Sequence, residues 1–262
     1  MRPLGIFDSG IGGLTVARAV ADRMTGSPLL YFGDTAHLPY GEKSPHLIRH
    51  YASRISHHLR DEGCRAIVVA CNSASSNALE SVRDAVGPDI PVVDVVEPVV
   101  AHLRARWPGG HIGVIGTRAT IDSGLYQRLL TSAGLEVTAR ATPLLASAIE
   151  EGFHQGAVSE ALLAAYLGDG IFDAVDALVL GCTHYPLIAG QITSHLPSTV
   201  EVVDSPAIVA ESVAALFPAE TNASPEMTHR FLVSDWTDSF AHGARRFFGD
   251  AIQLEASDLW KR

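Results

Sequence analysis

Short aliphatic runs alternate with helically patterned stretches from one end of this chain to the other. LGIF (4–7) precedes LTVARAVADRM (14–24), AIVVA (66–70) precedes ASSNALESVRDAV (74–86), HIGVIG (111–116) precedes a segment ending in LYQRLLTSAG, and ALVLG (177–181) precedes LIAGQITSHL. LLYF, VVDVV, VTARAT, VEVVDS and HRFLVS head further units of the same kind. Apolar runs that are continuous rather than alternating read as strands buried on both faces, and helices between them supply the crossovers of a parallel sheet. The expected fold class is therefore α/β, with mainly parallel sheets. Ligands of such sheets collect at the carboxyl ends of the strands, which puts residues 8, 71, 117 and 182 in line for function.

Length and charge narrow the possibilities. A chain of 262 residues is long enough for two modest α/β domains or one large one. Its 47% hydrophobic and 18% charged residues are ordinary for a globular protein. The net charge of −10, without a basic run, disfavours nucleic acid and anionic membrane surfaces as partners. Asp8 interrupts any signal-like apolar core near the start, and Asp94 and Glu97 interrupt the most apolar region, IPVVDVVEPVVAHL. Three cysteines are too few and too odd for a disulfide framework, so free thiols in a reducing cytoplasm are expected. The most loop-like segments are 33–44, 107–110 and 218–226.

Two of the three cysteines stand in matching places. VVACNSAS (68–75) and LVLGCTHYP (178–186) are each an aliphatic run ending in a small residue, a cysteine and then a hydrogen-bonding residue. This weak internal repeat suggests two similar halves facing one another, residues 1–93 with 208–262 as the first and 94–207 as the second. Cys71 and Cys182 both precede predicted helix starts, where dipole and free N–H groups favour thiolate. Taken singly each reads as an inert buried thiol; together they invite other readings. A zinc site from Cys71, Cys182 and His184 lacks an evident fourth ligand and any C-x-x-C pair, and a redox disulfide is the other alternative. Cys64 reads as a core or loop residue.

The remaining motifs are weaker. FDSGIGG lacks the dinucleotide spacing, so Gly10, Gly12 and Gly13 form either a tight strand-to-helix turn or an anion site of backbone N–H groups. Gly-Glu-Lys-Ser at 41–44 is not a phosphate loop, because Glu42 separates Gly41 from Lys43. The histidines are scattered without ligand spacing.

Five blocks in order, FDSGIGGLTV, YFGDTAHLPYGEKS, VVACNSAS, VIGTRAT and GCTHYPL, resemble glutamate racemase over nearly the whole chain. The departures are small: Ser73 stands where the family has Thr, and LLASAIEEG is a looser match. The resemblance implies two α/β domains with the active site between them, and interconversion of L- and D-glutamate without cofactor or metal. It implies Cys71 and Cys182 as the two acid–base residues, Asp8 beside Cys71, and His184 and Glu150 beside Cys182, with Glu151 adjacent and equally open on sequence. It assigns Asp8, Ser9, Tyr40, Gly41, Asn72, Ser73, Thr183 and His184 to substrate binding, with Thr117 and Thr120 at the side-chain carboxylate. It further implies a cytoplasmic homodimer supplying D-glutamate for peptidoglycan. Some relatives bind DNA gyrase, for which no motif here speaks. A sister activity on aspartate, or a non-catalytic binder on this scaffold, are the competing readings.

Overall fold

A computed structural model describes residues 1–217, 228–250 and 252–261, so the loop-like stretch 218–226 lies outside the described residues. Strands and helices alternate as the hydrophobic pattern requires. In the first stretch β1 (Leu4–Asp8), α1 (Leu14–Arg23), β2 (Leu29–Gly33), α2 (Pro45–Asp61), β3 (Ala66–Val69), α3 (Asn72–Val86), β4 (Val92–Asp94) and α4 (Glu97–Arg106) follow in turn. The middle holds β5 (His111–Gly116), α5 (Arg118–Asp122), α6 (Leu125–Ser132), β6 (Glu136–Ala141), α7 (Pro143–Glu150), α8 (Ala157–Leu167), β7 (Ala177–Gly181), α9 (Ala189–Ser194) and β8 (Glu201–Val203). Then come α10 (Ser205–Ala215), β9 (Arg230–Val233), α11 (Asp238–Phe248) and β10 (Leu254–Ala256).

The strands form two sheets with every pairing parallel. One has six strands in the order β10-β9-β2-β1-β3-β4, the other four in the order β6-β5-β7-β8. The central strands are buried along their whole length: β1, β3 and β7 expose nothing on either face. That is why their sequences are continuously apolar. Each fully buried Ile, Leu or Val stabilises the fold by roughly 1.5–3 kcal/mol. β10 had no counterpart in the sequence reading; it is three residues long and partly exposed, so it carries no apolar run.

Local signals set the helix ends. Ser44 caps α2 by accepting from the Leu47 N–H at 3.4 Å, and Pro45 occupies the first helical position, where a missing N–H costs nothing. Ile48, Ala52, Ile55 and Leu59 then bury one stripe. α3 starts at Cys71 and stops at Gly87, whose φ of +80° only glycine adopts cheaply. Packed side by side, α2 and α3 hold the end of β3 in place.

Cys182 departs from expectation. Instead of a helix it leads into a single 3-10 turn, Tyr185–Ile188, with Pro186 in its opening positions, before the short α9. The helix-dipole argument therefore applies to Cys71 and not to Cys182.

Candidate active site

The carboxyl ends of the two sheets point at each other across one shared cavity. Cys71 and Cys182 both line it, the first from the end of β3 and the second from the end of β7; both are free thiols, 4% and 6% exposed. Ser9, Tyr40, Gly41, Asn72 and Ser73 line it from the six-stranded side. Thr117, Glu150, Thr183 and His184 line it from the four-stranded side. Asp8 and Thr120, also anticipated, are fully buried just behind that wall. Pro39, Ala146 and Gly181 complete the lining and were not anticipated. None carries a reactive group, so composition offered no signal for them beyond their places in the PYG, LLASAIE and LGCT stretches.

The sheets approach closely because glycine allows it. A Cβ on Gly12 would clash with the His184 ring and lie 2.6 Å from Thr183 Oγ1; one on Gly41 would lie 2.7 Å from Thr117 Cβ. Gly12 belongs to the loop after β1, so the FDSGIGG turn packs directly on the loop bearing Cys182. Thr15 Oγ1 adds a hydrogen bond across the same seam, donating to the Thr183 carbonyl at 3.3 Å.

Around Cys71 the groups are acidic. Asp8 Oδ2 accepts the N–H groups of Gly10 (3.2 Å) and Gly13 (2.9 Å), while its buried Oδ1 has no protein partner. Cys71 Sγ donates toward Ser9 Oγ at 3.7 Å. Burial, and after it the Asp8 charge, push the Cys71 thiol well above the ordinary thiol range. N–H groups at Ala74 and Ser9 pull the other way and lose. The sequence expectation that the helix start favours thiolate at Cys71 is thus opposed by burial, which outweighs the N–H groups there.

Around Cys182 the arrangement is a relay. Sγ lies 3.6 Å from His184 Nδ1, and His184 Nε2 lies 2.7 Å from Glu150 Oε1. Burial works to lower the His184 pKa, but the Glu150 charge and the hydrogen bonds to Cys182 and Glu150 prevail and hold it well above the usual imidazole value. Glu150 is the last residue of α7 and turns toward the cavity, whereas Glu151 is exposed. Of the two carboxylates that sequence leaves open, Glu150 is the one that contacts His184.

Hydroxyls and an amide fill the rest of the wall. Ser73 Oγ lies 2.9 Å from Thr117 Oγ1 and 3.4 Å from Thr120 Oγ1, and the two threonines are 3.1 Å apart. Asn72 Oδ1 accepts from Tyr126, leaving a buried Nδ2 without a protein partner. Tyr40 donates to Asp34 Oδ2 at 2.6 Å, and Asp34 Oδ1 in turn accepts from Ser234 and Trp260. Asp34 is a support that sequence reasoning missed, since Ser234 and Trp260 lie 200 and 226 residues away in the chain. Two unpaired polar atoms, paired hydroxyls and two opposed thiols suit a small zwitterion with carboxylates to be held and a proton to be moved. Among the described residues no three His, Cys, Asp or Glu side chains are grouped as metal ligands.

Comparison with known proteins places these features. Residues 14–213 match the Asp/Glu/Hydantoin racemase family. The chain is 41% identical over 260 residues to the glutamate racemase of Saccharopolyspora erythraea, covering 98% of this chain and 95% of the relative. The structure of Francisella tularensis glutamate racemase in complex with D-glutamate superposes with a TM-score of 0.92, at 33% identity and with 100% and 99% of the two chains covered. Escherichia coli glutamate racemase in complex with L-glutamate and the activator UDP-MurNAc-Ala superposes with a TM-score of 0.76, at 28% identity and with 98% of each chain covered.

Proposed function

Because this chain belongs to the glutamate racemases of the Asp/Glu/Hydantoin racemase family, we propose that Cys71 and Cys182 interconvert L- and D-glutamate as a pair of opposed acid–base residues. The observation that carries this reading is that both thiols line one cavity from the ends of equivalent strands in different sheets. Racemisation takes the Cα proton from one face and returns a proton to the other. One side chain cannot attend both faces, so two are required, one as thiolate and one as thiol, exchanging states with direction.

Each cysteine has its own support. His184, held protonated by Glu150, offers a positive charge beside Cys182 and a route for its proton. Cys71 has the Asp8 carboxylate rather than a cation beside it; the substrate ammonium, drawn to Asp8, supplies a positive charge and offsets the desolvation that keeps the thiol protonated. Ser9, Tyr40, Gly41, Asn72 and Thr183 hold the ammonium and α-carboxylate, and the Ser73, Thr117 and Thr120 hydroxyls hold the side-chain carboxylate. Fixed donors aimed at the reacting end stabilise the developing carbanion without reorganising. The reading needs no cofactor.

The two halves proposed are residues 1–93 with 208–262 and 94–207, the substrate closing between them. We further assign the enzyme to the cytoplasm as a homodimer supplying D-glutamate for peptidoglycan; no gyrase contact is proposed. The test is circular dichroism on EDTA-dialysed protein offered L- or D-glutamate without additions. Both should relax to the racemic mixture. Activity that returns only with zinc or pyridoxal phosphate, or that prefers aspartate, overturns the reading.

A further inference from the structure

Resting on the racemase reading, we propose that Tyr126 is a positioning residue: from the four-stranded side it donates to the carbonyl of Asn72 and so turns the Asn72 NH2 group into the cavity, toward a substrate carboxylate. Asn72 is the residue after Cys71, at the start of α3, and is 2% exposed. Its amide has two ends. Oδ1 accepts the Tyr126 hydroxyl at 2.9 Å, and Nδ2 is buried without a protein partner in a residue that lines the cavity. A buried amide N–H left unpaired is destabilising, so that donor is poised for a ligand acceptor. A flipped amide would present the carbonyl instead, which suits an ammonium and repels a carboxylate.

Tyr126 can fix that choice because its own state is fixed. It is fully buried in α6, and burial together with the nearby Asp94 charge pushes its phenol well above the ordinary range, so it keeps its proton across all working pH. It also belongs to the layer around β5 and β6, whereas Asn72 belongs to β3 and α3. The orientation of a substrate contact on one side is therefore set by a hydroxyl from the other, and holds only while the two sides are docked.

The experiment is a double-mutant cycle on the full chain. Tyr126→Phe should raise the D-glutamate dissociation constant, and KM for both enantiomers, about tenfold, as expected for an orphaned buried acceptor, with kcat changed less than about threefold. In an Asn72→Ala background the same substitution should raise the D-glutamate dissociation constant by less than about twofold, because the group it positions is gone. Equal effects in both backgrounds, or none in either, overturn the proposal. A second measurement does not depend on folding of the variants: in protein labelled with 15N at asparagine, saturating D-glutamate should shift the Asn72 side-chain NH2 signals. Unmoved signals would also overturn it. If wild type itself fails to racemise glutamate, it is the underlying reading that falls.

Discussion

Glu150 and His184 face each other at 2.7 Å, carboxylate oxygen to ring Nε2, and the other ring nitrogen of His184 lies 3.6 Å from the Cys182 sulfur. This makes the second thiol the end of a three-member chain, while the first has only a carboxylate and a hydroxyl for company. The two thiols proposed as bases are thus supported asymmetrically.

Glu150→Gln tests that chain. Removing the charge takes away the chief influence that raises the His184 pKa, so the imidazole should hold its proton less tightly. NMR titration should place the His184 pKa lower in the variant. Turnover should fall on the order of 10²-fold, the low end of what an acid–base group contributes. Enantiomers have equal free energy, so kcat/KM must drop by the same factor in both directions. Glu151→Gln, altering an exposed neighbour, should leave rates within about twofold, in line with surface substitutions.

Gly12→Ala should separate catalysis from folding. The added methyl would meet the His184 ring and Thr183 Oγ1, forcing apart the loop that follows Asp8 and the loop that carries Cys182. A displacement near 1 Å costs on the order of 10²-fold in rate. Gly190→Ala is the control: nothing lies within 4 Å of its Cβ position, so activity and melting temperature should hold or rise slightly. Equal activity of the two variants would contradict the seam described above.

Much of this was legible in the sequence for a physical reason. Strands such as Leu4–Asp8 and Ala177–Gly181 are buried on both faces, so they show as unbroken apolar runs, and function falls at their ends. The cysteine blocks marked the cavity because both sit at such ends. What escaped depends on distance in the chain. Asp34 meets Ser234 and Trp260 some 200 residues on, and Tyr126 meets Asn72 from 54 residues away. In LYQRLL the tyrosine reads only as one more core position. Glu150 and Glu151 are chemically identical, and only the phase of α7 tells them apart. The thiolate expectation for Cys71 failed because a helix start is visible in sequence and desolvation is not.

Asp94 predicts a pH-dependent stability. It is 1% exposed, accepts the N–H groups of Val96 and Glu97, and burial first of all raises its pKa from 3.8 to about 6. The folded state therefore holds this proton more tightly than the unfolded chain. The penalty for ionising it is absent below about pH 4, grows as pH rises, and is complete above about pH 6, where it amounts to about 3 kcal/mol at most, at 1.36 kcal/mol per unit. Asp94→Asn keeps the acceptor oxygen and removes the ionisation. Urea unfolding between pH 4 and pH 7.5 should show wild type losing stability relative to Asp94→Asn over that window. Parallel curves would refute the assignment.

Cys71→Ala and Cys182→Ala should each abolish racemisation while losing opposite faces of the reaction. Each variant keeps one base, so it still removes the proton from the enantiomer whose Cα–H points at that base; it cannot return a proton on the other face. A glutamate analogue that expels a leaving group after deprotonation needs no second transfer. Offered both enantiomers of such an analogue, each variant should consume a different one, Cys71 serving the D-enantiomer and Cys182 the L-enantiomer by the family resemblance. The supports predict a further difference. Cys71 is held as thiol by burial and Asp8, so iodoacetamide should label the substrate-free protein slowly near pH 7 and faster as pH rises. Asp8→Asn should speed labelling of Cys71 even as it lowers turnover, since it removes the repelling charge and the partner of the substrate ammonium together. Mass spectrometry of the labelled peptides reads both effects. Near wild-type racemisation by either alanine variant would end the two-base account, whatever the labelling showed.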